Sequence, residues 1–280
     1  MPIVKIDTHQ HFWLYTPAEY GWMGPHMGRL KKDHLPADLW PLLQSSGIDG
    51  TIAVQARQCV EESRWLLELA DENAFIKGVV GWVDLCSPKL SEQLELFASH
   101  PKYCGVRHVV QDEPDDRFVM GADFLRGVGQ LSEFGLTYDL LLFPRHLPVA
   151  CELVRQFPEQ PFAVDHLAKP RIKENQLQPW ENDIRRLARF ENVFCKVSGM
   201  VTEADWDNWN SADFKPYLDA VLESFGTKRL MLGSDWPVCT LAGTYPEVMR
   251  IASDYIGQLS KDEQAEIWSK NAKRFYGIGE

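Results

Sequence analysis

No stretch of this 280-residue sequence approaches the roughly 20 consecutive apolar residues that a helix needs to cross a bilayer. Nor do its first residues show a basic patch followed by a long apolar core, as a secretory leader would. Cysteine is scarce and scattered. Cys59, Cys86, Cys104, Cys151, Cys195 and Cys239 stand singly with no Cys-x-x-Cys pair, which excludes a dense disulfide framework and leaves buried, reduced thiols as the expectation. Together these lacks predict a cytoplasmic protein. Positive charge is also short: Lys and Arg number 29 against 40 Asp and Glu, a formal net charge of −11. That is the wrong sign for a phosphate backbone, so neither a nucleic acid nor a membrane is expected as partner. Internal repeats, low-complexity tracts and linkers are missing too, and residues 1–280 read as one domain.

What the sequence does hold is a soluble composition, 45% apolar and 25% charged, with a regular rhythm. Apolar runs that read as strands occupy Val4–Phe12, Gly50–Ala56, Ile76–Leu85, Gly105–Gln111, Leu136–Phe143, Phe162–His166, Val193–Gly199 and Leu230–Asp235. Helical patterns separate most of them, at Glu61–Asn73, Ser91–Ser99, Phe124–Phe134, Leu147–Phe157, Trp180–Phe190 and Phe214–Phe225. A helix is also predicted from Pro36 towards a stop at Gly47. Another starts at Ser260, whose spacing to Glu263 is that of a capping box, and runs towards Phe275 and Gly277. Eight strands alternating with helices imply parallel crossovers and fit an α/β fold of the (β/α)8 TIM-barrel type. The rival doubly wound sheet usually carries a glycine-rich first turn. Here that turn is His9-Gln10-His11-Phe12-Trp13, with no glycine. The long connection Leu14–Asp38 exceeds an ordinary strand-to-helix turn and reads as a lid.

Function in such a barrel sits at the C-terminal ends of the strands. Polar residues collect there: His9 and His11, Gln55 and Arg57, Trp82 and Asp84, Arg107 and His108, Asp139, Asp165 with His166 and Lys169, Lys196, and Asp235. On a strand His9 and His11 share a face about 6–7 Å apart, a pair able to hold a metal or a substrate. Asp235 ends an apolar run and is costly to bury without compensation, for which the histidines are the candidates. Trp13, Trp22, Trp82 and Trp236 suit either stacking on a sugar ring or core packing.

These residues bring a family into view. From Ile6-Asp7-Thr8-His9-Gln10-His11-Phe12-Trp13 through Gly105-Val106-Arg107-His108, Asp165-His166-Leu167-Ala168-Lys169-Pro170, Cys195-Lys196-Val197-Ser198-Gly199 and Gly233-Ser234-Asp235-Trp236-Pro237 to Asn271-Ala272-Lys273-Arg274-Phe275-Tyr276, the chain resembles the amidohydrolase superfamily. Within it, the likeness is to the branch of L-fuconolactonase- and L-rhamnonolactonase-like sugar lactonases and 2-pyrone-4,6-dicarboxylate lactonase.

The resemblance implies hydrolysis of a cyclic ester, with Asp235 as general base and His166 beside it. It implies that Arg107, His108 and Lys169 hold the sugar hydroxyls or the new carboxylate, and Trp13, Gln55 and Trp82 complete the expected substrate set. His9, His11 and Asp235 match an open three-ligand zinc site, so a divalent metal, required or not, is the expected cofactor. Many metal-dependent members carry a fifth-strand histidine that is missing from Leu140–Phe143. That counts against the main alternative, a metal-dependent non-oxidative decarboxylase of an aromatic or muconate-type acid. A non-catalytic sugar binder would have no need of a base at Asp235. The expected partner is a small-molecule sugar lactone, with a homo-oligomer the usual form for barrels.

Overall fold

The computed structural model of the chain describes residues 2–279. Eight parallel strands follow one another around a single sheet: β1 (Ile6–Gln10), β2 (Gly50–Val54), β3 (Ile76–Gly81), β4 (Tyr103–His108), β5 (Thr137–Leu140), β6 (Phe162–Val164), β7 (Val193–Val197) and β8 (Leu230–Leu232). The circle closes beyond β8, where Asp235 N donates to His9 O at 2.8 Å and His11 N donates to Trp236 O at 2.7 Å. This is the expected (β/α)8 barrel. The strands are shorter than their apolar runs, because residues such as Val83, Leu85, Leu141 and Leu142 stay buried after the strand hydrogen bonding has stopped.

Around the sheet lie α1 (Pro36–Ser46), α2 (Val60–Glu72), α3 (Leu90–Ala98), α4 (Ala122–Leu131), α5 (Leu147–Gln156), α6 (Trp180–Leu187), α7 (Ser211–Phe225) and α8 (Tyr245–Ile256). Helix α1 stops where Gly47 takes a left-handed conformation. Helix α8 was not expected, yet its signals are in the sequence: Thr244 and Glu247 form a capping box and Pro246 sits in the first turn. The predicted C-terminal helix divides into α9 (Lys261–Ala265) and α10 (Asn271–Tyr276) around a wider π turn at Glu266–Lys270. No helix among the described residues is long and apolar enough to cross a membrane.

The main apolar core fills the layer between strands and helices. A smaller one closes the barrel floor, where Ala272, Phe275, Tyr276 and Ile278 pack on Ile6, Ile52, Val54, Val80 and Met231. Close approach requires glycine at one point in the outer layer: a Cβ on Gly127 of α4 would lie 2.2 Å from Leu85 O.

The strand ends break the expected geometry in two places. The sixth strand stops at Val164 because His166, Leu167, Ala168 and Lys169 all have φ between 52° and 58°. Asp235 at the eighth strand end is also left-handed, with φ 58°. Such residues cost of order 1 kcal/mol each and collect at functional sites.

Closure rests on Asp7, fully buried in β1. Its carboxylate accepts from Ser234 N at 2.9 Å, Ser234 Oγ at 2.6 Å, Tyr245 Oη at 3.0 Å and His9 N at 3.2 Å. Burial pushes Asp7 up to about 6 against those four donors. Replacing Asp7 by Ala strands the donors in a dry site and is expected to lower the unfolding free energy by about 2–4 kcal/mol in a denaturant titration.

Candidate active site

Four side chains meet at the top of the barrel. Nε2 of His9 and Nε2 of His11 are 3.2 Å apart. Asp235 Oδ1 lies 3.4 Å from His11 Nε2, 4.0 Å from His9 Nε2 and 3.8 Å from His166 Nε2. Chain geometry sets each of them. β1 delivers the histidine pair, while Gly233 lets the eighth strand pass β1, since a Cβ there would stand 2.6 Å from His9 Cβ. His166 is wedged in the same manner: Gly199 has φ 61°, and its Cβ would lie 2.5 Å from His166 Nδ1. Ser198 Oγ is 2.9 Å from that nitrogen.

Burial and charge fix the protonation states. Burial alone would raise Asp235, but the imidazoles of His166, His11 and His9 outweigh it and hold the carboxyl well below the usual range. Burial pushes His166 down to about 4 and His9 far below its ordinary value. At neutral pH Asp235 is therefore ionised, while His9 and His166 are neutral.

The histidine tautomers follow from their partners. His11 Nδ1 lies 2.8 Å from Val54 O and must donate to it, which turns the lone pair of Nε2 into the site. His9 Nδ1 lies between Lys196 Nζ at 3.2 Å and Asp165 Oδ1 at 3.4 Å. Asp165 Oδ1, buried and 3.0 Å from Lys196 Nζ, keeps a lone pair that can accept a proton on His9 Nδ1. That tautomer presents a second lone pair beside the first. His9, His11 and Asp235 thus fit a divalent cation, each ligand atom lying within 4.8 Å of the others and the imidazoles braced from behind.

Beneath the histidines runs a polar column. Lys196 is fully buried, bonded to Asp139 and 3.0 Å from Asp165 Oδ1. Tyr276 Oη on α10 donates to Asp139 at 2.9 Å. Burial would lower Lys196, but Asp139 and Asp165 hold it above its ordinary value. Asp165, in spite of its burial, is held well down by Lys196 and His9. Arg107 completes the floor, with Nη1 at 3.1 Å from Asp165 Oδ2 and 3.2 Å from His9 Nε2.

A cavity of about 320 Å³ opens above, bordered by His11, Asp235, His166, Arg107, Lys169 and Trp13 and, at its mouth, by Glu19, Trp22, Arg57, Gln111 and Asp112. A larger groove of about 1120 Å³ adjoins it and shares Lys169, but contains none of the four converging side chains.

Most of the predicted site is brought together; three residues are not. His108 follows the inward Arg107 on β4 and so faces the helix layer, where it stacks on Phe118 and binds Glu113 at 2.7 Å. Trp82 Nε1 donates to His108 Nδ1 at 3.3 Å, outside the cavity. Gln55 is fully buried: its Nε2 donates to Arg107 O at 3.1 Å, and its own carbonyl accepts from Arg107 Nη2, so it props the arginine. Trp13 borders the cavity with its N–H engaged by Lys32 O at 2.9 Å in the lid. Trp236 packs on Phe12 and His34 away from the cavity, whereas Trp22 stands at its mouth. Sequence reasoning left out Asp165 as a partner of His9, although it adjoins His166. It also left out Glu19, which sits in irregular chain with no signal of its own.

Comparison with known proteins agrees with this geometry. A family model described as amidohydrolase matches residues 6–278. The curated L-fucono-1,5-lactonase of Burkholderia multivorans (strain ATCC 17616 / 249) is 42% identical, the match covering 100% of this chain and 98% of that protein. A second L-fucono-1,5-lactonase, of Burkholderia ambifaria, is 34% identical over 98% of this chain and 96% of its own. Among solved structures, an amidohydrolase from Burkholderia multivorans with bound zinc superposes with a TM-score of 0.95 at 42% identity, covering 99% of this chain and 100% of that one.

The polar column has a measurable stake in folding. Lys196→Met leaves Asp139 without a counter-charge and Asp165 with Arg107 alone, and is expected to cost about 3–5 kcal/mol of stability. Adding Asp139→Asn to that variant is expected to recover part of the loss in the same unfolding titration.

Proposed function

The chain belongs to the amidohydrolase family, and from that premise we propose that it is a carboxylic-ester hydrolase that opens a neutral sugar lactone to the aldonic acid. The observation that carries this reading is a buried Asp235 within 4.0 Å of the imidazoles of His9, His11 and His166, with Arg107 beside them, at the floor of a ligand-sized cavity. The activity of the two Burkholderia relatives supports it.

Asp235 takes a proton from water as the water oxygen adds to the lactone carbonyl. Charge then grows on the carbonyl oxygen, and the Arg107 guanidinium, fixed by Asp165 and Gln55, is positioned to offset it without moving. As the ring C–O bond breaks, the leaving oxygen takes up the proton that Asp235 received. A divalent metal, zinc by the ligand set, would be held by His9, His11 and Asp235, and when bound would polarise the carbonyl or acidify the water. The cations bordering the cavity, Arg57, Arg107 and Lys169, are matched by Glu19, Asp112 and Asp235 on the same walls, which suits an uncharged ring better than a dicarboxylate. Decarboxylation is disfavoured because β5 supplies no further ligand: its inward acid, Asp139, is engaged by Lys196 and Tyr276.

Asp235→Asn is expected to lower kcat by roughly 10²–10⁴-fold, and hydrolysis at the parent rate would remove Asp235 from this role. The pH profile follows from the site. Asp235 stays ionised and His166 becomes cationic only as pH falls through about 4, so kcat/KM is expected to drop as pH falls through about 4. A pH-indicator assay over a panel of sugar 1,4- and 1,5-lactones, run before and after exhaustive chelation, is the direct test. Turnover lost on chelation and restored by zinc makes the metal essential, turnover that survives it leaves the imidazoles acting directly, and no turnover on any lactone overturns the proposal.

A further inference from the structure

An ion pair spans the mouth of the cavity, joining the lid to the barrel rim. Arg57, on the turn after β2, is bonded through Nη1 to Glu19 Oε1 in the lid. Both partners are held from behind. Thr16 Oγ1 donates to Glu19 Oε2 at 2.9 Å, Arg57 N donates to Glu62 Oε2 at 2.8 Å, and the guanidinium carbon lies 5.9 Å from the centre of the Tyr20 ring. Both also border the cavity. As a fastener alone the pair is weak: the Arg57 side chain is 24% exposed and that of Glu19 45% exposed, and ion pairs in such settings contribute little.

The pair nevertheless keeps capacity in reserve. A guanidinium has five donors; in Arg57 Nη1 is bonded to Glu19 and Nε is buried 3.8 Å from Glu62 Oε1, so the Nη2 donors and the second N–H of Nη1 are left for a ligand. Glu19 Oε1 and Oε2 hold one partner each from Arg57 and Thr16 and retain lone pairs. A donor fork beside an acceptor is complementary to hydroxyl groups, each of which both accepts and donates. It is a poor site for an anion, because the Glu19 carboxylate repels what Arg57 attracts. The wall made by Trp13, Trp22, Leu141 and Val238 is apolar, so the cavity distinguishes a hydroxylated edge of a ring from a C–H face.

We infer that the Arg57–Glu19 pair at the cavity mouth recognises ring hydroxyls of the substrate remote from the reacting carbonyl, and so sets selectivity for neutral polyhydroxylated lactones. Binding fastens the lid by the same contacts. The inference rests on the lactonase reading above.

The experiment compares Arg57→Met and Glu19→Gln with the parent protein on three probes: a neutral polyhydroxylated 1,5-lactone, unsubstituted δ-valerolactone, and a sugar lactone carrying a carboxylate. Any lactone not turned over is read through its inhibition constant. For Arg57→Met the ratio of kcat/KM on the hydroxylated lactone to that on δ-valerolactone is expected to fall roughly 10- to 100-fold, mainly through KM. For Glu19→Gln the carboxylated lactone is expected to gain on the neutral one, since Arg57 loses its counter-charge; for Arg57→Met it is expected to lose ground. Equal losses on all three probes would make the pair a structural fastener and overturn the inference, as would unchanged ratios in both variants. If the parent protein opens none of the lactones, the lactonase reading itself fails, an outcome distinct from either.

Discussion

A lysine ammonium on the axis of a barrel, out of reach of solvent, is tolerable only if carboxylates surround it. Lys196 meets that condition through Asp139 below and Asp165 beside it, and much of the barrel interior follows from the arrangement. Asp165, fixed by the lysine, becomes a fixed neighbour for His9 and for Arg107. Tyr276 seals the lower end. The reacting groups therefore stand on a stack of charges that compensate one another. Removing any one exposes the rest to an uncompensated low-dielectric interior. No disulfide braces this stack, since all six cysteines are free.

The sequence was most informative where physics is local. Strand-length apolar runs separated by amphipathic stretches were enough for the barrel, and His9, His11, His166 and Asp235 lay at strand ends where the architecture would bring them together. It was least informative where a side chain's direction depends on strand termination. His108 adjoins Arg107, but β4 is still extended there, so alternation sends the two to opposite layers. Gln55 and Trp82 also occupy strand ends, and position alone does not separate a prop from a ligand. His166 escaped that ambiguity only because the chain leaves β6 in a left-handed turn, which no local residue preference announces. Glu19 was beyond reach, since its partner Arg57 comes from a different strand end and the lid that carries Glu19 has no periodicity.

In the proposed reading, catalysis and selectivity occupy different depths of one funnel. The floor is buried, with ionised Asp235 among three imidazoles, whereas the mouth is polar, partly exposed and carried by an irregular segment. Chemistry at the floor demands fixed distances; recognition at the rim tolerates exchange of one hydroxyl pattern for another. A family that shares the floor can thus diversify at the rim without re-solving the problem of burying charge.

The left-handed run from His166 to Lys169 also bears on how this enzyme can be re-engineered. Leu167 and Ala168 are fully buried as well as left-handed, so each position must satisfy packing and backbone at once. β-branched residues fit such dihedrals worst. Glycine fits them best but gives up the packed side chain. A mutant library drawn evenly from all residue types would therefore carry a stability cost in many of its members at these sites. One that leaves 166–169 intact and varies the rim would spend its diversity where the fold permits change.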